Sequence, residues 1–227
     1  MKNVFFALLM VVSAVFISCE TEDSADVNQD KIYTVYEIFY NENSDKTVAI
    51  ARFRFGNPAG TLLELNDPAG VTFEGDVLPY SIVYSGHAKE FAGKITEGTF
   101  EYVDVDGNVF ENTIPTLSEI DHPQGFTTIT KSQANTYAWE GSPLSGNERV
   151  NLFVGSWTWG DDALFFASGE GATDIVMGTD QINQLPVGSS TLYVDRVNEV
   201  SVTEGTSEGG VIRTRFRPEN TQVEVVE

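Results

Sequence analysis

The chain has 227 residues, enough for one large domain or two of about 100 residues, and its 41% hydrophobic and 21% charged content marks a folding chain rather than a disordered tail or a polytopic membrane protein. Lys plus Arg total 13 against 34 Asp plus Glu, and this net charge of −21 excludes binding led by nucleic-acid phosphates. One Cys excludes a disulfide framework and a Cys-based zinc site, and two His leave little for a transition-metal centre, so no metal or cofactor is expected.

Lys2 precedes an apolar run from Val4 to Ile17 that only Ser13 interrupts. About 20 apolar residues are needed to cross a bilayer as a helix, whereas a charged start followed by a shorter apolar stretch describes a secretory signal, here residues 1–18. The next residues, Phe16-Ile17-Ser18-Cys19, resemble the lipobox of bacterial lipoproteins, with Phe16 where Leu is usual. That resemblance implies cleavage before Cys19, acylation of Cys19, and attachment to a membrane through the lipid. Glu20 rather than Asp follows the Cys, so the usual inner-membrane retention signal is absent and the outer membrane is the expected location. Residues 19–31 then read as the lipidated Cys and a solvated tether, since Glu20, Glu22, Asp23, Asp26 and Asp30 come before any basic side chain. This acidic stretch resembles the export signal of surface lipoproteins in Bacteroidetes, which implies exposure at the cell surface.

From Ile32 onward the chain consists of short β-type runs separated by Gly, Pro, Asn and Asp, and no long stretch keeps helical spacing. The expected class is all-β. The first series runs through Ile32–Tyr40, Thr47–Phe55, Gly60–Leu65, Gly70–Phe73, Leu78–Tyr84, His87–Ala92, Gly98–Val105 and Asn108–Ile114, with Asp106-Gly107 as a hairpin turn. A polar stretch with Pro115 and Pro123 interrupts the rhythm. The second series runs through Phe126–Lys131, Thr136–Trp139, Arg149–Trp159, Ala163–Ala167, Thr173–Gly178, Ser190–Val197 and Gly210–Arg217, with one helical turn at Gln181–Leu185. Two sandwich units, 32–116 and 121–227, are therefore expected. Phrases such as Val71-Thr72-Phe73-Glu74-Gly75, Gly98-Thr99-Phe100-Glu101-Tyr102 and Thr191-Leu192-Tyr193-Val194 resemble bacterial envelope proteins built from tandem immunoglobulin-like and fibronectin-like modules. That resemblance implies a fold and leaves the role open.

No catalytic signature is found. Gly155-Ser156-Trp157-Thr158-Trp159-Gly160 lacks the second glycine of a nucleophile elbow, and no phosphate-cradling glycine motif occurs. His87 and His122 lie in different expected units and read as surface or turn residues. Asp104-Val105-Asp106-Gly107-Asn108 resembles the opening of a calcium loop, but Pro115 stands at the twelfth position, and a hairpin turn accounts for the same residues. Among 34 acids, no chosen carboxylate pair is informative.

Two features carry a binding meaning. In the run from Arg149 to Trp159, Val150, Leu152 and Val154 face one way and suit the core, while Phe153, Trp157 and Trp159 face the other. Such a row fits burial or contact between the two units, docking of another protein, or stacking against sugar rings. Trp139 reads as core. Arg213, Arg215 and Arg217 alternate along one face of a late strand, which suits cross-strand pairing with Glu or, alternatively, an anionic ligand. The sequence thus points to a lipid-anchored envelope protein without catalytic residues, acting in an outer-membrane complex or, alternatively, binding a glycan, with a secreted-type hydrolase as the remaining rival if two carboxyl groups converge in a cleft.

Overall fold

A computed structural model describes residues 21–155 and 160–227. Its strands are β1 (Glu22–Asp23), β2 (Ile32–Asn41), β3 (Lys46–Phe55), β4 (Leu62–Glu64), β5 (Gly70–Phe73), β6 (Asp76–Val77), β7 (Tyr80–Ser81), β8 (Gly86–Ala92), β9 (Thr99–Val103) and β10 (Val109–Thr113). They continue as β11 (Thr128–Thr130), β12 (Asn135–Tyr137), β13 (Glu148–Gly155), β14 (Asp162–Ala167), β15 (Ile175–Met177), then a one-turn helix α1 (Thr179–Ile182), and β16 (Gly188–Ser201), β17 (Gly210–Arg217) and β18 (Thr221–Val226). The all-β class is as the alternation implied. The one helical turn lies two to three residues earlier than expected, and β18 was not anticipated.

One sheet dominates, with strands in the order β1-β4-β3-β2-β17-β16-β13-β14; β8 also pairs with β3, and β18 with β16. The expected division into sandwiches at 32–116 and 121–227 is corrected by the central pairing. β2 and β17 run parallel from Thr34 opposite Gly210 to Asn41 opposite Arg217, so the first long strand and a late strand belong to one hydrogen-bonded sheet. This arrangement is not that of two tandem immunoglobulin-like modules. The close fit also accounts for Gly210, since a Cβ there would lie 2.2 Å from Thr34 Oγ1 and 2.4 Å from Thr34 O.

Alternation gives the sheet two unlike faces. The inner face is apolar and gathers two clusters. In one, Tyr36, Ile38 and Phe53 of β2 and β3 lie beneath a four-stranded sheet in the order β10-β9-β5-β6. Tyr36 stacks on Phe100 at 4.9 Å, and Phe53 meets Tyr102 at 4.6 Å. The other cluster holds Val150, Leu152, Val154, Leu192 and Val194 under Tyr137, Ile175 and Met177 of the β12–β15 pair, with Trp139 buried among them. Residues Thr21 to Lys31, expected as a free tether, are instead folded onto the sheet. β1 pairs in parallel with β4, Ser24 is fully buried, Val27 packs against the first cluster, and Gln29 Nε2 donates to Ser24 O and Val27 O. The carboxylate of Asp23 contributes to this docking, accepting from Ala25 N and from Asn66 Nδ2.

The chain passes from the first cluster to the second between Ile114 and Leu117, and polar side chains of the sheet hold it there. Thr214 Oγ1 and Asn198 Nδ2 both donate to Thr116 O at 3.0 Å. Next to them, Arg196 is almost wholly buried. Its Nε and Nη2 donate to the two carboxylate oxygens of Glu148 at 3.1 and 2.6 Å, Nη1 donates to Ser142 O at 2.8 Å, and Nη2 also donates to Pro143 O at 3.2 Å. Burial alone would raise the Glu148 pKa. Hydrogen bonds from Arg196, Ser118 and the Ser145 N–H outweigh it and bring the value down to about 2.

Removing one member of such a pair strands the other charge inside, so Arg196→Met and Glu148→Gln should each destabilise the fold by about 3–5 kcal/mol in urea unfolding. The double variant Arg196→Met/Glu148→Leu should regain much of that loss. Single variants with an unchanged unfolding midpoint would show that the pair is not structural.

The pair also predicts an acid limb. A folded pKa of about 2 against an ordinary 4.5 means that the Glu148 contribution is complete above about pH 4.5 and is lost as the pH falls toward 2. Unfolding free energy measured across that interval should fall more steeply for the native chain than for Glu148→Gln.

Candidate functional site: an arginine face on the sheet

On the outer face of the same sheet, the positions that alternate with the inward apolar ones carry charged side chains along the middle strands, among apolar ones such as Val35, Val197 and Val211. Pairing brings together side chains that are far apart in the chain. Glu199 of β16 stands opposite Arg213 of β17, which stands opposite Glu37 of β2. Arg52 and Arg54 enter from β3, and Arg149 from β13. Together with Tyr33, Val35, Pro58, Asn151, Val197 and Val211, these residues line an open groove of about 680 Å³. Five of the chain's seven arginines are in it.

Glu37 is the hub. Its side chain is only 4% exposed, and its Oε2 accepts from Arg213 Nη2 at 2.9 Å and Arg52 Nη1 at 3.2 Å. Arg215 Nε lies 3.1 Å from Glu37 Oε1, but its N–H is not directed into a hydrogen bond. Burial would raise the Glu37 pKa, and the three guanidinium groups of Arg215, Arg213 and Arg52 overcome this and hold it below the usual carboxylate range. Arg213 also meets Glu199 at 3.2 Å, while Arg149 reaches that carboxylate only at 3.7 Å. Arg54 Nη1 donates to Gly60 O and pairs with no carboxylate among the described residues. Five guanidinium groups therefore face two carboxylates, an excess of three positive charges within a chain of net charge −21.

Beyond the groove the stripe continues into aromatic contacts. Arg217 binds Asp195 in a two-pronged pair at 2.7 Å for each contact. The Arg215 guanidinium lies 3.7 Å from the centroid of Phe39, and Arg217 lies 5.6 Å from that of Tyr193. The cross-strand pairing expected for Arg213, Arg215 and Arg217 is thus present, with Asp195 as a further partner. The alternation Arg52-Phe53-Arg54 and the position of Arg149 were sequence signals of the same kind, although only the pairing of β2 with β17 gathers them on one face.

The aromatic row proposed from sequence fares differently. Phe153 does point to the outer face, yet it is 7% exposed and offers no open platform. Its cross-strand neighbours Leu164 and Tyr193 flank it, and the Tyr193 ring meets it edge-on at 5.7 Å. Trp157 and Trp159 lie outside the described residues, as does Cys19.

His87, expected at the surface, is buried. Leu65 N donates to its Nε2 and its Nδ1 faces Leu78 O, both at 3.0 Å, which fixes the neutral tautomer with the proton on Nδ1. Burial lowers its pKa, against smaller opposing effects from Leu78 O and Glu64. His122 is half-buried, with Nδ1 2.7 Å from Tyr137 Oη. The Asp104 carboxylate is occupied by a turn, accepting from Asp106 N, Asn108 N and Asn108 Nδ2, and Gly107 supplies the positive φ of 83°. Among the described residues no cluster of three or more His, Cys, Asp or Glu is placed to hold a metal ion.

No protein-family model matches the chain, and no curated protein matches it. A solved structure concerned with host cell surface retention of a 1.5-MDa bacterial ice-binding adhesin is similar at 11% identity and a TM-score of 0.24, with 86% of this chain and 65% of that chain covered. The chain therefore spans under two thirds of that neighbour, and a likeness this weak carries no functional argument.

The hub makes a direct prediction. Glu37→Gln leaves three guanidinium groups without their shared counter-charge, so it should lower the melting temperature, and ionic strength raised from about 0.01 M to about 1 M should restore part of the loss by screening. A variant as stable as the native chain at low salt would remove Glu37 as the organiser of the face.

Proposed function

We propose that this chain is a non-catalytic binding protein of the bacterial cell envelope, attached by lipid at Cys19 to the outer membrane, and that it binds anionic groups through the arginine face. The observation that carries the reading is the excess of three positive charges in one groove of a chain whose net charge is −21. Uniform surface charge would not concentrate five of seven arginines on one face. The anchor rests on the apolar run before Ser18-Cys19 and belongs to the same proposal. His87 is held neutral between two backbone groups and is not free for acid–base work.

Two measurements test it. Cys19→Ala should move the expressed protein from the detergent to the aqueous phase on phase partitioning, and unchanged partitioning would remove the anchor. The native chain should be retained on arrays of carboxylated and sulfated glycans, and Arg54→Glu/Arg149→Glu should abolish retention while circular dichroism and melting stay native. Equal retention of both proteins would remove the arginine face as the binding surface.

A role as an accessory subunit has separate support in exposed apolar side chains, namely Ile82 and Val83 in the turn between β7 and β8 and Leu164 and Phe166 on the edge strand β14. Leu164→Ser/Phe166→Ser should then release partners that co-purify from gently solubilised membranes, without changing glycan retention.

A further inference from the structure

Where the chain leaves the fold bears on which anions the arginine face meets, an inference that rests on the lipid anchor and on the anion-binding reading above. Residues 19–31 as a free tether would reach about 40 Å from the sheet, at about 3.3–3.6 Å per residue. The docking of β1 leaves only residues 19–21 ahead of the sheet, so an acylated Cys19 lies no farther than about 10 Å from Glu22. Glu22 stands opposite Leu63 of β4, and Leu63 stands opposite Phe53 of β3, the residue between Arg52 and Arg54. Two strand spacings put Glu22 about 10 Å from Phe53. A membrane that holds the lipid is therefore kept against the β1–β4–β3 border of the sheet, where the groove begins.

That border carries apolar side chains as well as charge. The turn between β7 and β8 folds over the outer face, where Tyr84 packs against Val48, Ile50 and Ala88, and Tyr84 O accepts from Arg52 Nε at 3.1 Å. Ile82 and Val83, 85% and 86% exposed, are thereby set beside Arg52. Aliphatic side chains next to guanidinium groups suit the boundary of a bilayer, since the former enter the acyl region while the latter meet phosphate.

Charge selects this face for an anionic bilayer. The groove has an excess of three positive charges in a chain of net charge −21, so such a bilayer repels the molecule as a whole and attracts it at the groove. Of the acids at the exit, Glu22 shares the inner side of the sheet with Leu63 and Phe53, and the Asp23 carboxylate is held by Ala25 N and Asn66 Nδ2. Guanidinium forks match phosphate oxygens, and Arg54 has a carbonyl rather than a carboxylate as its partner. The floor is made of interior strands whose backbone groups are already paired, so a peptide cannot add there as a further strand.

We propose that the arginine face, with Ile82 and Val83 at its border, docks on the phosphate headgroups of the membrane in which Cys19 is anchored, turning the outer face of the large sheet toward the bilayer and the four-stranded sheet away from it.

Fluorescence quenching tests this. Cys19 is the chain's one cysteine and is acylated in this reading, so an introduced cysteine carries the label alone. Ala59→Cys labels the exposed turn next to Pro58 at the groove, and Glu111→Cys labels the exposed side of β10 in the opposite layer. The lipidated full chain is reconstituted into vesicles of phosphatidylcholine, alone or with about one third phosphatidylglycerol, each containing a nitroxide-headgroup lipid as quencher. The label at position 59 should be quenched more strongly in the anionic vesicles, and the label at 111 should not respond. Three excess charges near an anionic surface favour the docked arrangement about a hundredfold. Salt raised from about 0.1 M to about 1 M should release it. Arg54→Glu/Arg149→Glu should abolish the added quenching and Ile82→Ser/Val83→Ser should weaken it, with vesicle flotation and melting native in both. Quenching at position 59 that is indifferent to phosphatidylglycerol and to the arginine substitutions, or equal quenching of the two labels, would overturn the docking. An unchanged response to the Ile82 and Val83 substitutions would remove those two residues from the surface. If docking fails while the chain in detergent is still retained on sulfated glycans, the anion-binding reading stands with a soluble ligand in place of the membrane. A chain that does not float with vesicles would remove the anchor, and the inference with it.

Discussion

The parallel pairing of β2 with β17 is the constraint on which both faces of the molecule depend. It joins the early and late halves of the chain edge to edge, so neither half has to close a sandwich alone. On the inner side it sets two apolar clusters next to each other and leaves a polar seam between them, where Thr214, Asn198 and Arg196 hold the connecting backbone. On the outer side it sets Arg213 against Glu37, and thereby places a late arginine strand next to Arg52 and Arg54 of an early hairpin. A shift of one residue in that register would turn Ile212, Thr214 and Phe216 outward and bury the arginines.

The two buried or nearly buried carboxylates of the sheet play different parts. Glu148 has one guanidinium, several further donors and no exposed edge, so its charge is locally balanced and its contribution is to hold loops and sheet in one arrangement. Glu37 has three guanidinium groups and a groove above it, so its charge is over-balanced. Local neutrality is expected where structure is the only demand, since an uncompensated buried charge is among the most destabilising features a fold can carry. The surplus at Glu37 lies instead on the solvent side of the sheet, at the floor of the groove.

Much of the secondary structure was legible, because period-two alternation survives in a half-buried strand. Gly70–Phe73 and Gly210–Arg217 fall where the alternation placed them, and Ile32–Asn41 and Lys46–Phe55 within a residue. What alternation cannot encode is which strands pair. The lapse between Ile114 and Gly125 reads the same whether it links two domains or crosses one sheet, and here it marks the passage between clusters. The acidic residues after Cys19 misled for a related reason: composition describes Asp23 as a solvated charge, whereas in the fold it caps a turn and binds Asn66.

The candidate site was legible only in fragments. Arg213, Arg215 and Arg217 stand out because their spacing lies within one strand, but Arg52, Arg54 and Arg149 gain meaning only through tertiary pairing. Phe153 shows the converse error. Its orientation followed correctly from alternation, and its burial did not, because exposure on a sheet face is decided by the side chains on adjacent strands, here Tyr193 and Leu164. β14 carries no arginine and Arg196 of β16 faces inward, so beside Phe153 the outer face is apolar, with Leu164 and Phe166 exposed, while the groove's cations stand on β3, β13 and β17. Exposure on such a face is therefore set by tertiary pairing, which one strand's alternation does not contain.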